Sequence, residues 1–209
     1  MSPATRSLFE PDDVELGPGA WWLRGFACAD APALLAEIER LAADAPFRHM
    51  LTPGGQAMSA AMTSCGELGW VSDRAGYRYS RVDPGSGRPW PHLPAAFSYL
   101  AARAAERAGH EGFAPDSCLV NRYAPGAKMG LHRDQDERDQ TQPIVSVSLG
   151  ATARFLFGAT RRASDARAIE LSHGDVVVWG GPTRLYFHGV TRVHDDAPHR
   201  FNLTMRRAG

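Results

Sequence analysis

Cys118-Leu119-Val120-Asn121-Arg122-Tyr123-Ala124-Pro125-Gly126 opens the part of the chain that decides the fold, a strand-forming run that ends in a Pro-Gly turn. The same unit then recurs to the last residues: Ile144 to Leu149, Arg154 to Phe157, Ala168 to Leu171, Val176 to Trp179, Leu185 to His188 and Phe201 to Met205. Turn signals such as Ser172-His173-Gly174-Asp175 and Gly180-Gly181-Pro182 separate these runs. Upstream the pattern differs. Ala20 to Phe26 reads as a short strand, and a helix follows from about Asp30 as N-cap, with Leu34, Leu35, Ile38 and Leu41 on one face. A second helix fits Pro94 to Ala108, with Phe97, Leu100, Ala101 and Ala104 aligned and Gly109 as its stop. Helices followed by many short strands predict a mainly β fold, an antiparallel sandwich or barrel with helices packed outside. Residues 44–90 are rich in Gly, Pro and Ser around short aromatic pieces, and predict a loop-rich hairpin region that could serve as a lid.

With 209 residues, 44% of them hydrophobic, the chain suffices for one substantial core and is read as a single domain over 1–209. The first nineteen residues are acidic and carry no apolar run, so a cytoplasmic protein with no membrane partner is expected. Cys28, Cys65 and Cys118 have wide, irregular spacing that fits neither a disulfide framework nor a zinc knuckle, and are read as reduced bystanders. The formal net charge is zero, but residues 1–45 hold three cations against eight anions, and the surplus of cations falls on the remainder. A polyanion would meet that later part. Arginine supplies 22 of the 23 cations, which fits phosphate recognition by guanidinium forks and equally a coding bias shared with the many alanines.

His132-Arg133-Asp134 places an imidazole and a carboxylate two residues apart, on the same side of an extended segment. With His188 they would form two histidines and one carboxylate on a face of an octahedron, the set that binds Fe(II) and leaves positions open for a cosubstrate and O₂. The spacing alone decides little, because His173-Gly174-Asp175 repeats it in a turn, where the two side chains are expected to satisfy backbone groups. The last strand adds weight. In Arg200-Phe201-Asn202-Leu203-Thr204-Met205-Arg206 the two arginines, Asn202 and Thr204 share one face, an inventory that can grip a dicarboxylate. The bland alternative is an edge strand whose arginines face water. Roughly 20 Å separates the α-carbons of Arg200 and Arg206 on an extended strand, a gap their long side chains could narrow around a small diacid. Asn121 and Tyr123 would add an amide and a phenol on one face.

Asn121 to Lys128, His132-Arg133-Asp134-Gln135-Asp136, Ile144 to Gly150, His173 to Gly181 and Arg200 to Arg206 resemble, in order, the successive blocks of the AlkB family over roughly residues 58–209. The resemblance implies a double-stranded β-helix, an eight-stranded jelly roll over about 117–209, with a nucleotide-recognition lid over about 44–92. It implies that His132, Asp134 and His188 bind Fe(II), and that Asn121, Tyr123, Arg200, Asn202 and Arg206 hold 2-oxoglutarate, with Arg122 and Thr204 counted in the same cosubstrate site. The 189–199 connection is short beside the best-known bacterial members.

Trp70, Tyr77, Arg78 and Tyr79, with Arg74, Arg81 and Arg88 nearby, interleave rings and cations, which suits a base stacked on a ring and phosphates held by guanidinium groups. A generic loop with buried aromatics explains them as well, and it is the resemblance that assigns Trp70 and Tyr77 to Tyr79 to substrate. Asp136 is read as the group that accepts from the exocyclic amine of adenine or cytosine and favours a cationic, methylated ring. Arg162, in the Thr160-Arg161-Arg162 turn, resembles a further substrate contact, with an exposed hairpin arginine as its alternative. The implied activity is oxidative demethylation of 1-methyladenine and 3-methylcytosine in single- or double-stranded DNA, with RNA as a second polymer. It consumes 2-oxoglutarate and O₂ and releases formaldehyde, succinate and CO₂, the chain working as a monomer. The rival readings are a dioxygenase of the same fold acting on a small molecule or protein, a non-catalytic nucleic-acid-binding module with structural histidines, and a zinc-binding β-barrel isomerase.

Overall fold

The computed structural model describes residues 13–159 and 166–209, and the turn with Arg162 lies outside the described residues. In chain order the elements are β1 Val14–Gly17, β2 Ala20–Leu23, α1 Ala31–Asp44, β3 Ala61–Gly66, β4 Gly69–Asp73, β5 Gly76–Ser80 and α2 Ala95–Arg107. They continue with β6 Ser117–Tyr123, β7 Met129–His132, β8 Ile144–Gly150, β9 Ala153–Ala159, β10 Arg167–Leu171, β11 Val176–Trp179, β12 Phe187–Val193 and β13 Arg200–Arg206. A seven-stranded sheet in the order β1-β2-β11-β8-β13-β6-β3 faces a four-stranded sheet in the order β10-β9-β12-β7. Eight of these strands, β6 to β13, divide evenly between the two sheets and form a double-stranded β-helix. All pairings are antiparallel, and β4 with β5 makes a separate hairpin.

The alternation of the strands builds three layers. On β13 Phe201, Leu203 and Met205 face the helices, packing with Leu34 and Ile38 of α1 and Phe97 and Leu100 of α2. Burying such a side chain contributes about 1.5–3 kcal/mol. The opposite faces of β6, β8 and β11 turn Leu119, Tyr123, Ile144, Val177 and Trp179 towards Phe155, Phe157 and Val190 of the smaller sheet. The functional side chains lie in this second interior, between the sheets. The second helix ends at Gly109, whose φ of +83° suits glycine.

Several expectations from sequence need correction. Asp30 starts α1 but makes no side-chain cap. Its carboxylate instead accepts two bonds from Arg103 of α2, both 3.2 Å, and so ties the helices together. Within the loop-rich stretch, β3 is a buried strand of the large sheet, paired with β6, because its small side chains fit under the helices. Leu185 to His188 is not a strand that ends at His188. Gly181–Thr183 forms one turn of 3-10 helix, Tyr186 N–H bonds back to the Thr183 carbonyl, and the strand begins only at Phe187. The alternative of an edge strand for Arg200 to Arg206 falls away, since β13 lies between β8 and β6 with every residue but the half-buried Phe201 buried. Cys65 and Cys118, far apart in sequence, are free thiols directly opposite one another across β3 and β6.

Candidate metal centre and cosubstrate cavity

The pairing of β7 with β12 sets His132 opposite His188, ring centroids 4.4 Å apart. Gly189 permits this closeness, since a β-carbon there would sit 2.9 Å from the Met129 carbonyl oxygen. Asp134 follows β7 and turns its carboxylate between the rings, with Oδ1 3.8 Å from His132 Nε2 and Oδ2 3.7 Å from His188 Nε2. One ligand atom from each of the three residues lies within 4.8 Å of the others. In each histidine Nδ1 faces a backbone carbonyl, that of Gly130 at 2.9 Å and that of Tyr186 at 3.1 Å. A carbonyl only accepts, so Nδ1 carries the proton and Nε2 presents a lone pair to a metal. Burial pushes the His188 imidazole down to about 4, with His132 acting in the same direction, so it is neutral at pH 7. Burial would raise the Asp134 carboxyl, but the Arg206 guanidinium, at 2.7 Å, together with His188 and His132 outweighs it and holds the group well below the usual carboxylate range. Trp179 and Phe155 close the far side of His188 with rings at 5.0 and 6.1 Å.

Beside the three ligands a cavity is lined by Asn121, Tyr123, Arg200, Asn202, Thr204 and Arg206. Arg200 is 1% exposed; one of its nitrogens donates to Ser148 Oγ at 3.0 Å, and its plane lies 5.2 Å from the Tyr123 ring. Arg200 Nε and Nη1 have no partner, and neither has Asn121 Oδ1. An unpaired buried guanidinium is costly, so the site fits an anion that would complete it. Asn202 and Thr204 are already spent: the amide donates to Ser146 Oγ and the Val147 carbonyl, and Thr204 donates to Asn202 Oδ1. They stiffen the cavity floor. The donor set of two imidazoles, one carboxylate and a carboxylate-sized anion pocket suits Fe(II) chelated by an oxo-diacid.

Arg122 does not join this cavity. Alternation sends its side chain to the helix side of β6, where it lies 4.7 Å over the Phe47 ring. The sequence reading also missed a buried network. Glu137 accepts from Tyr79 Oη at 2.8 Å and Arg184 at 3.0 Å, and lies 3.2 Å from Arg206 Nε. Arg184 further donates to the Asp134 carbonyl at 2.8 Å, so the network fixes the backbone of a ligand. Glu137 sits in the Asp134 to Arg138 charge run, directly after Asp136, and such a run reads as solvated. His173 and Asp175, as expected, serve the backbone: His173 Nδ1 accepts from Gly150 N–H, and Asp175 accepts from Gly25 and Ser172 N–H.

On the β4–β5 hairpin Trp70 and Tyr77 stack, centroids 5.6 Å apart and planes at 15°. Trp70 Nε1 donates to Asp136 at 2.9 Å, which brings these three sequence-selected residues together. Arg78, on the other face of the hairpin, is held by both oxygens of Asp73. Tyr79 is turned inward to Glu137 and Arg206, so it forms part of the wall and is not an open stacking ring.

Residues 19–206 match the family described as the 2OG-Fe(II) oxygenase superfamily. The chain is 50% identical over 205 residues to the alpha-ketoglutarate-dependent dioxygenase AlkB of Escherichia coli K12, covering 96% of this chain and 95% of that protein. It is 51% identical over 203 residues to the same-named protein of Salmonella typhimurium LT2, covering 95% and 94% respectively. A solved structure of OsALKBH1 superposes with a TM-score of 0.80 at 30% identity, covering 94% of this chain and all of that one.

Proposed function

Because the chain belongs to the AlkB family within the 2OG-Fe(II) oxygenase superfamily, we propose that it repairs nucleic acid by oxidative demethylation of 1-methyladenine and 3-methylcytosine. It is a 2-oxoglutarate-dependent dioxygenase, and Fe(II) with 2-oxoglutarate and O₂ supplies the oxidation of the methyl carbon. The observation that carries the reading is the meeting, in one cavity, of three clustered ligand atoms and the unpartnered nitrogens of Arg200.

His132, Asp134 and His188 would hold the iron through Nε2, a carboxylate oxygen and Nε2. The Arg200 fork would take the distal carboxylate of 2-oxoglutarate, with Tyr123 beside it, while Asn121 and Arg206 flank the chelating end. Trp179 and Phe155 exclude water behind His188. The flipped base would stack at Trp70, with Tyr77 beside it. Asp136, steadied by the indole N–H, retains lone pairs to accept from the exocyclic amine. A carboxylate there also favours the positive charge that methylation gives the ring. In this reading the chain is one domain over 1–209, residues 44–92 supply a lid carried on β3, and the enzyme works as a cytoplasmic monomer on DNA and RNA.

The test is anaerobic loading with Fe(II) and 2-oxoglutarate, admission of air, and mass analysis of oligonucleotides bearing either lesion. Loss of one methyl with matching formaldehyde is expected. Decay of 2-oxoglutarate without loss of methyl would transfer the chain to a dioxygenase with another substrate.

A further inference from the structure

A second cleft, of about 420 Å³, opens beside the Trp70–Tyr77 stack and is bordered by Tyr77, Arg78, Arg81, Asp136, Arg138 and Arg207. Its size falls in the range of roughly 300–1,000 Å³ found for ligand sites. Five pieces of chain meet here: the turn between β3 and β4, the β4–β5 hairpin with its exit, Asp116 ahead of β6, the segment after His132-Arg133-Asp134, and the residues that follow β13. Carboxylates also line it, but two of the three are engaged. Asp136 accepts from Trp70, and Asp116 accepts from the backbone N–H groups of Ala208 and Gly209, leaving Glu67. Against it, Arg81 and Arg138 are exposed and pair with no carboxylate among the described residues. Arg207 is half exposed and donates one nitrogen to the Ala114 carbonyl at 3.4 Å, while its Nε lies 3.9 Å from Asp116, too far for a good hydrogen bond, so most of its donors are open.

The geometry points to this cleft as the seat of a phosphodiester that flanks the lesion, gripped by Arg138 and Arg207 from one side and Arg81 from the other. The inference rests on the demethylase reading and extends it from the base to the strand. Tyr77 and Asp136 border the cleft and also contact Trp70, so a strand whose damaged base stacks at Trp70 would pass over the cleft. Guanidinium forks suit phosphate oxygens, and exposed forks without partners lose little on engaging them. Sequence-independent contact of this kind adds affinity without reading bases.

The experiment compares the full chain with Arg138→Gln and with the Arg81→Gln/Arg138→Gln double variant. Binding of a single-stranded oligonucleotide carrying 3-methylcytosine is followed by fluorescence anisotropy over a range of KCl, with melting temperature as the control for folding. Each lost phosphate contact should lower the slope of log K against log salt by about 0.7. A decrease of roughly that size in the single variant, and about twice it in the double variant, is expected. Equal slopes in all three proteins, with equal melting temperatures, would overturn the cleft. Binding is read without turnover, so this outcome is independent of demethylation; failure of the unsubstituted chain to remove the methyl counts against the parent reading alone.

Discussion

Arg200 is a fully buried guanidinium with two nitrogens unpartnered. A buried charge without its partner destabilises, whereas an apolar side chain of similar volume does not. Arg200→Met is therefore expected to melt no lower than the parent protein in the absence of 2-oxoglutarate. With Fe(II) under nitrogen, 2-oxoglutarate at a hundred times its Kd should stabilise the parent by about 2.7 kcal/mol and the variant not at all. Thermal melting with and without the diacid checks both; equal stabilisation of the two proteins would remove Arg200 from the cosubstrate site. At this scale the sequence was informative wherever a side chain had a chemical reason to stand alone. Arg200, Asn121 and Tyr123 were legible from alternation, but the same alternation, applied to Arg122, excludes it from the cavity. Asn202 and Thr204 line the cavity, but their donors are taken up by Ser146, the Val147 carbonyl and each other.

Among the elements, β7 shows what pattern reading misses. Four residues, Met129–His132, are too few to display a period, yet this strand sets His132 against His188. Gly189 is the cross-strand condition for that approach. Gly189→Ala would drive a methyl to within 2.9 Å of the Met129 carbonyl oxygen, so β7 must move away. Iron retained after gel filtration is expected to fall several-fold while the fold, read by circular dichroism, persists; full retention would show that β7 yields without moving His132. The segment after Asp134 was the other illegible element, because a run of charges reads as solvated until its partners arrive from β13, β5 and the turn before β12. Glu137 and Arg184 are 2% and 3% exposed and bonded at 3.0 Å. Removing one partner of such a pair costs roughly 3–5 kcal/mol. Arg184→Met should lose stability on that scale by urea unfolding, and a loss under about 1 kcal/mol, the ceiling for a surface pair, would mean that the network is not held in solution.

At the scale of the whole molecule, the question is how the hairpin region stays fixed to the sandwich. Arg48 pairs through its backbone with Met62 at the start of β3, and through its side chain with Asp83 beyond β5. Burial would raise the Asp83 carboxyl, but Arg48 and the Gly85 N–H hold it below its ordinary value. The unfolded chain thus takes up the proton first, and the contribution is present above about pH 4 and vanishes as pH falls through the lower folded value. Asp83→Asn is expected to lower the melting temperature at pH 7 and to narrow that gap progressively as the pH is taken below about 4; a gap that stays constant with pH would show that the carboxylate is not the fastening. Such long-range ties were beyond the sequence, whereas seven of the eight core strands and their order were legible from their turn signals, β7 being the one missed.

Both imidazoles come from the smaller leaf of the sandwich and the arginine grip from the larger. Whatever fills the cavity therefore acts as a clasp, and every turnover that discharges the spent diacid undoes it. The enzyme is at its slackest in the interval when it must exchange one small acid for another. An ample supply of metabolite would then preserve the protein as well as drive it.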